Sequence, residues 1–244
     1  MMQSKTKPGR NQTTRKAAGD VKVPGKTAAY LPLDVRVYQQ PLDYDEAVAL
    51  QQSLVAQRLA DAIPDTMLLL EHKPVITLGV SAREEHLMLS VGKLAALGIG
   101  VVRSARGGDV TYHGPGQLVA YPILKLTDGE RDVRKYVHRL EETAIRTAAA
   151  FGISAWRRPG MTGAWTDAGK LAAIGVRVRR WVTFHGVSFN MDPVPDGFRF
   201  IVPCGLAGEP VTSLRHILAP AAPPSLDEVR QAWREAFAAV FHRG

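Results

Sequence analysis

One cysteine, a handful of histidines and a lysine in an apolar run are the residues of this chain with chemistry to offer. Cys204 stands in Val202-Pro203-Cys204-Gly205-Leu206. Proline removes a backbone donor ahead of it and glycine loosens the backbone behind it, so the thiol is expected where a strand gives way to a loop. A cysteine attacks as its thiolate and needs a base or a cation nearby to ionise at neutral pH. His113, His185 and Lys170 are the groups available for that task. Lys170 sits in Gly169-Lys170-Leu171-Ala172-Ala173-Ile174-Gly175, at the head of a small and apolar run. Two readings stand side by side. The lysine snorkels to the surface, or burial turns it into a usable base. The cysteine has the same two faces, since an isolated thiol also serves as a small buried hydrophobe.

The other stretch with chemical character runs Arg106-Gly107-Gly108-Asp109-Val110-Thr111-Tyr112-His113-Gly114-Pro115-Gly116-Gln117. Four glycines let backbone approach a ligand closely or take positive φ, beside an arginine and a histidine. A plain Gly/Pro hairpin at a sheet edge has the same composition, with Arg106 solvated and His113 packed.

The elements that must position these residues alternate irregularly. Leu33 to Tyr38 alternates like a first strand, and Asp43 or Asp45 caps a helix running to about Leu59 with Ala47, Leu50, Leu54, Val55 and Leu59 on one face. Thr66 to His72 reads as a buried central strand, and Pro74 to Gly79 as a second strand of the same sheet, with His72 a solvated residue of the connection. A short helix from Ser90 to Leu97 closes at Gly98, and residues 99–103 lead into the glycine-rich stretch. Leu118 to Leu124 is a strand, and Asp132 caps a helix from Val133 to Phe151. Residues 163–190 read as paired strands turning at Arg179-Arg180, with Val176, Val178, Val182 and Phe184 on one face and Arg177 and Arg179 pointing out. Phe198 to Gly205 is a short strand ending at the cysteine, and Leu226 to Phe241 a last amphipathic helix. Strands and helices mix without a regular βαβ beat, which indicates an α+β fold.

The chain of 244 residues, 45% hydrophobic, suits one folded domain over residues 30–244. Residues 1–29 carry seven Lys and Arg against Asp20 alone, which accounts for six of the eight net positive charges. The basicity therefore belongs to a tail expected to be disordered and is no argument for nucleic-acid binding by the domain. No stretch is apolar and long enough for a signal peptide or a membrane span, and a single cysteine excludes an internal disulfide. A cytoplasmic protein without membrane partners is expected. Scattered histidines and one thiol make no closed zinc site, and no Walker or dinucleotide fingerprint is present. No metal or cofactor is expected.

Arg106-Gly-Gly-x-x-Thr111-Tyr112-His113-Gly-Pro-Gly-Gln117, Gly169-Lys170, Phe184-His185-Gly186, Pro203-Cys204-Gly205 and Val211-Thr212-Ser213-Leu214 resemble, in order, the motifs of lipoyl(octanoyl) transferases. The resemblance covers about residues 34–240. It implies an α+β fold of mixed β-sheets flanked by helices, similar to the catalytic domain of lipoate and biotin protein ligases. It implies transfer of an octanoyl group from octanoyl-acyl carrier protein to a lysine on lipoyl domains of 2-oxoacid dehydrogenase E2 subunits and on the glycine cleavage H protein, by a monomer. Cys204 would form the acyl-thioester and Lys170 would set its ionisation. Arg106, Gly107, Gly108, Asp109, Val110, Thr111, Tyr112, His113, Ala173, Ile174, Gly175, His185, Gly186 and Val187 would line the acyl substrate. Attack of a thiolate on a thioester is near thermoneutral, so no ATP is needed, and a lysine base serves both half-reactions. Backbone N–H groups near Gly107-Gly108 or Ala173 to Gly175 are the expected donors to the tetrahedral intermediate, and His113 and His185 orient the site. Both partner classes are acidic, so Arg157, Arg158, Arg177, Arg179 and Arg180 are candidates for a docking face.

Three other readings share parts of this pattern. An ATP-dependent lipoate or biotin ligase needs no nucleophilic cysteine and carries a Ser-Gly-Gly-Gly run that is missing here. A non-catalytic acyl-carrier or lipoyl-domain binding module would use Cys204 structurally. A thioester hydrolase would pass the acyl group to water.

Overall fold

The structure, a computed structural model, describes residues 31–192, 195–202 and 209–244. The basic tail of residues 1–29 and Pro203-Cys204-Gly205 lie outside the described residues.

The first strand β1 (Leu33–Val37) is followed by helix α1 (Tyr44–Leu59), then β2 (Asp65–Leu70) and β3 (Val75–Leu78). Next come α2 (Val91–Ala96), β4 (Gly100–Arg103), β5 (Val110–His113), β6 (Gln117–Ile123) and the long helix α3 (Val133–Ala149). Strands β7 (Trp156–Arg158), β8 (Met161–Thr166), β9 (Gly169–Arg179) and β10 (Val182–Asn190) follow. The chain finishes with α4 (Pro195–Phe198), α5 (Leu214–Leu218) and α6 (Leu226–Phe241). These strands form a seven-stranded sheet, β1-β2-β6-β10-β9-β8-β7, and a three-stranded sheet, β4-β3-β5. Each holds one parallel pair, β1 with β2 and β3 with β4, and is otherwise antiparallel. The fold is α+β with mixed sheets.

Period-two alternation sorts the large sheet into two apolar layers. Met67, Leu69, Leu118, Ala120, Val187 and Phe189 pack on one face with Leu140 and Ala144 of α3 and Trp233 and Phe237 of α6. Leu68, Leu70, Val119, Tyr121 and Val182 pack on the other with Ala47, Leu54 and Val55 of α1. This second layer corrects one expectation. Phe184 stands opposite Arg177 and Val182 opposite Arg179 in the ladder, so they share the arginines' face, while Val176 packs against the α3–α6 core. Counting alternation through the turn failed because Arg180 and Trp181 both take positive φ (47° and 65°) and reset the phase of the returning strand.

Two further readings are corrected. Pro74 to Gly79 does not continue the sheet of β2: β3 belongs to the small sheet, between β4 and β5. The β2–β3 connection therefore crosses the interior between the sheets, and His72, read as solvated, is wholly buried there. Its Nδ1 lies 3.1 Å from the Leu42 carbonyl and its Nε2 2.7 Å from the Tyr121 hydroxyl. Phe198 likewise ends a helical turn; among the described residues of the expected strand only Ile201 makes a strand-like bridge, to Leu87. Among the described residues no helix is long and apolar enough to cross a membrane.

Candidate active site

The Arg106 to Gln117 stretch is both a hairpin and a site. It holds β5, the edge of the small sheet, and then crosses through Gly114-Pro115-Gly116 into β6 of the large sheet. Residues of both sheets thus face each other across the seam between them. There a narrow pocket of about 450 Å³, its mouth included, is walled by Val110, Val119, Ala173, Ile174 and Val187, with Arg106, Thr111, His113, Tyr121, His185 and Ser188 supplying polar edges. Gly108, Asp109, Gly175 and Gly186 complete it. Past Gly108, Asp109, Ile174 and Gly175, which border both spaces, it opens into a wide cleft of about 1480 Å³ that holds Gly107, Lys170, Arg83, His86 and Met161. A slot that admits a slender chain, behind a mouth that admits a protein segment, is the shape of the site. Of the residues expected to line an acyl group, only Gly107 and Tyr112 are away from the slot. Gly107 borders the cleft, and the Tyr112 ring packs edge-on against Phe198 at 5.8 Å.

Close backbone contact explains the glycines at the slot's mouth. A Cβ on Gly79 would stand 2.2 Å from the Gly108 carbonyl oxygen, and one on Gly175 would stand 2.8 Å from that of Gly107. The loop 106–108 can therefore lie flat on β9, where the Gly107 N–H donates to the Val176 carbonyl at 3.0 Å. That bond occupies the Gly107 amide, one of the donors expected for a tetrahedral intermediate. Arg106, only 7% exposed, runs inward: its guanidinium donates to the Thr77 hydroxyl and carbonyl at 2.6–2.9 Å and to the Gly107 carbonyl at 3.0 Å. It is a buried fixed cation, not a solvated one.

Two imidazoles, His113 and His185, line the slot, and the His72 ring lies behind them, 5.5 Å from that of His113. His113 donates from Nδ1 to the Gln117 side-chain oxygen at 2.6 Å, and the Gln117 amide donates to Asn190 Oδ1 at 2.9 Å. Asn190 in turn donates to the Thr212 carbonyl at 3.0 Å. The relay ties the slot to the segment that follows residue 208. His185 takes positive φ (54°), and its N–H donates to Oε1 of Gln51, a fully buried glutamine on α1. Burial pushes His72 and His185 down to about 4, the latter helped by the Arg106 charge, and burial holds His113 well below the ordinary histidine range. All three are neutral near pH 7.

Lys170 is buried, 6% exposed, at the head of β9, with Nζ 5.3 Å from the centroid of the Trp165 ring. The surface reading of this lysine is set aside by that burial. Its N–H donates to the Pro210 carbonyl at 2.8 Å, and its carbonyl accepts from Thr212 at 3.0 Å. Upstream, the Val202 N–H donates to the His86 carbonyl at 2.9 Å. The chain on either side of Cys204 is therefore fastened to two residues of one cleft, His86 before it and Lys170 after it. Gly163 leaves room for the lysine stem: a Cβ there would lie 2.7 Å from Lys170 Cε and 2.4 Å from the Ala172 carbonyl oxygen, at φ 135°. Gly163→Ala should therefore strain β8 against β9 and lower the melting temperature by several degrees, as thermal unfolding followed by circular dichroism would read.

Sequence reading missed Gln51, His72, Asn190 and the His86–Asp109 pair. Gln51 and Asn190 had one local signal, a polar residue in an otherwise apolar stripe. The His86–Asp109 pair had none, since its members are far apart in sequence. Of the arginines considered for docking, Arg157 pairs with Glu142 at 2.6 Å, Arg158 with Glu209 at 2.6 Å, and Arg177 donates to the Ala105 carbonyl. Arg179 and Arg180 are exposed.

Residues 43–238 match the family model described as the lipoyl protein ligase A/B catalytic domain. Among curated relatives, an octanoyltransferase of Chloroflexus aggregans is 48% identical over 203 residues, covering 82% of this chain and 91% of the relative. An octanoyltransferase of Geobacter metallireducens is 48% identical over 191 residues, covering 78% and 85%. Among solved structures, a bipartite lipoate protein ligase of Thermoplasma acidophilum superposes with a TM-score of 0.68 at 16% identity, covering 87% of this chain and 85% of that one. Lipoate-protein ligase A bound with ATP gives 0.63 at 14%, covering 86% of each. At such identities the solved structures are similar in fold alone.

Proposed function

The chain belongs to the lipoyl protein ligase A/B catalytic domain family, and from that premise we propose that it is an octanoyltransferase of protein lipoylation. The observation that carries the reading is the slot-and-cleft geometry with Lys170 in the cleft wall and both flanks of Cys204 fastened beside it. The fold is shared with ATP-dependent ligases, so it does not choose between them. Near-50% identity to octanoyltransferases favours acyl transfer without ATP.

In this mechanism Lys170 takes the Cys204 thiol proton and the thiolate attacks the thioester of octanoyl-acyl carrier protein. The carbon–sulfur bond to the carrier breaks, its electron pair leaves on the carrier sulfur, and Lys170 returns the proton there. The octanoyl chain lies in the slot among Val110, Ala173, Ile174 and Val187. The ε-amine of a lysine on a lipoyl domain then enters through the cleft, attacks the acyl-enzyme, and regenerates the thiol. Lipoyl domains of 2-oxoacid dehydrogenase E2 subunits and the glycine cleavage H protein are the acceptors, and the working form is a cytoplasmic monomer.

Intact-protein mass spectrometry after incubation with octanoyl-acyl carrier protein tests this. The wild type should gain one hydroxylamine-labile octanoyl group without ATP, and Cys204→Ser should gain none. A wild type that stays unmodified with a competent donor overturns the transferase and leaves a binding module. An acyl group lost to water as fast as to a lipoyl domain makes it a hydrolase.

A further inference from the structure

Resting on the transferase reading, we propose that His86, paired with Asp109, is the group that takes the surplus proton from the acceptor lysine in the second half-reaction. The need for such a group comes from the stoichiometry. A lysine ε-amine, with an ordinary pKa near 10.4, arrives as an ammonium at neutral pH. Two of its protons must leave before the amide is complete. The nitrogen lone pair forms the carbon–nitrogen bond, the carbon–sulfur bond breaks with its pair on Sγ of Cys204, and one proton returns to that sulfur by way of Lys170. The other proton has no place in a Cys–Lys pair and must reach solvent.

His86 is placed to carry it. Its imidazole lines the same cleft as Lys170, and its side chain is 17% exposed, open enough to pass a proton to water. Nδ1 stands 2.6 Å from Oδ2 of Asp109, in a close ion-pair contact whose angle is bent away from an aligned hydrogen bond. A carboxylate that near stabilises the imidazolium formed when the proton arrives, and imidazole is the side chain suited to gain and lose protons near neutrality. Asp109 is itself held, its Oδ1 accepting from the Arg83 N–H at 3.3 Å. The backbone places His86 next to the nucleophile's segment, because its carbonyl accepts from Val202, two residues before Cys204. That anchor is a main-chain bond, so replacing the side chain leaves it standing.

The test separates the two half-reactions. Wild type, His86→Gln and His86→Ala are loaded from octanoyl-acyl carrier protein, stripped of donor, and mixed with a lipoyl domain, with acyl-enzyme followed by mass in quenched flow. Loading of both variants should stay within about threefold of wild type, and transfer should fall about 10–100-fold. Added imidazole should restore transfer in His86→Ala. Transfer at the wild-type rate overturns the proposal. So does a parallel fall in loading and transfer, or a selective loss that imidazole does not relieve. A wild type that never loads would instead condemn the transferase reading, so the two failures are distinct.

Discussion

Lys170→Met is expected to slow acyl loading of Cys204 by about 10²–10⁴-fold while the protein keeps its fold, the range a positioned base contributes. Methionine is chosen because it keeps an unbranched stem in the space that Gly163 leaves open and beside the Trp165 ring, and removes only the amino group. The main-chain bonds of residue 170 to Pro210 and Thr212 are indifferent to the side chain, so the strap that follows residue 208 stays in place. A lysine that served only as packing would show the opposite pattern, with a lowered melting temperature and little change in rate. Single-turnover loading of the variant, beside its thermal unfolding, distinguishes the two. A loading rate within threefold of wild type would remove Lys170 from the chemistry.

The elements set by local signals could be read from the chain. Helix α6 is placed by the Ser225–Glu228 capping box, and α3 starts at Asp132, whose carboxylate accepts from the N–H groups of Arg134 and Lys135. The apolar run Met67 to Leu70 announced a buried strand, and β2 is buried along its whole length. Which sheet a strand joins is a non-local matter, and β3 shows it: three apolar residues and a threonine fit either sheet, and pairing with β4 and β5 decided it. The site divides the same way. Arg106, His113, Lys170 and His185 stood in motifs whose glycines marked close approach. The groups that hold them, Gln51 under His185 and Asn190 behind Gln117, are 134 and 73 residues away along the chain. Asp109 was expected to line the acyl substrate, and its contact with the His86 imidazole shows only once the chain is folded.

Acidification from pH 6.5 to 4 is expected to cost the folded state about 6 kcal/mol through two histidines alone. His72 and His185 titrate at about 4 in the folded protein against an ordinary 6.5, because burial disfavours the imidazolium. A shift of that size is worth about 3 kcal/mol for each group. The sign follows from which state binds the proton. Below pH 6.5 the unfolded chain takes up protons that the folded chain refuses, so stability is complete above 6.5 and falls until the folded groups titrate near 4. His113, held well below the ordinary histidine range by burial and by His72, works in the same direction. Glu130 acts in a separate window. Its hydrogen bonds from buried Arg243 pull it down to about 2, so its share is lost only as the pH drops from its ordinary 4.5 toward 2. Domains of this kind are stable by about 5–15 kcal/mol, so the histidine window removes a large share of that stability by pH 4.5. Urea unfolding at pH 7.5, 6.5, 5.5 and 4.5 reads the slope directly. Equal stability at 7.5 and 4.5 would mean that these imidazoles titrate in the fold as they do in the unfolded chain. The same burial keeps His113 and His185 uncharged in the slot's wall, beside the buried Arg106 cation.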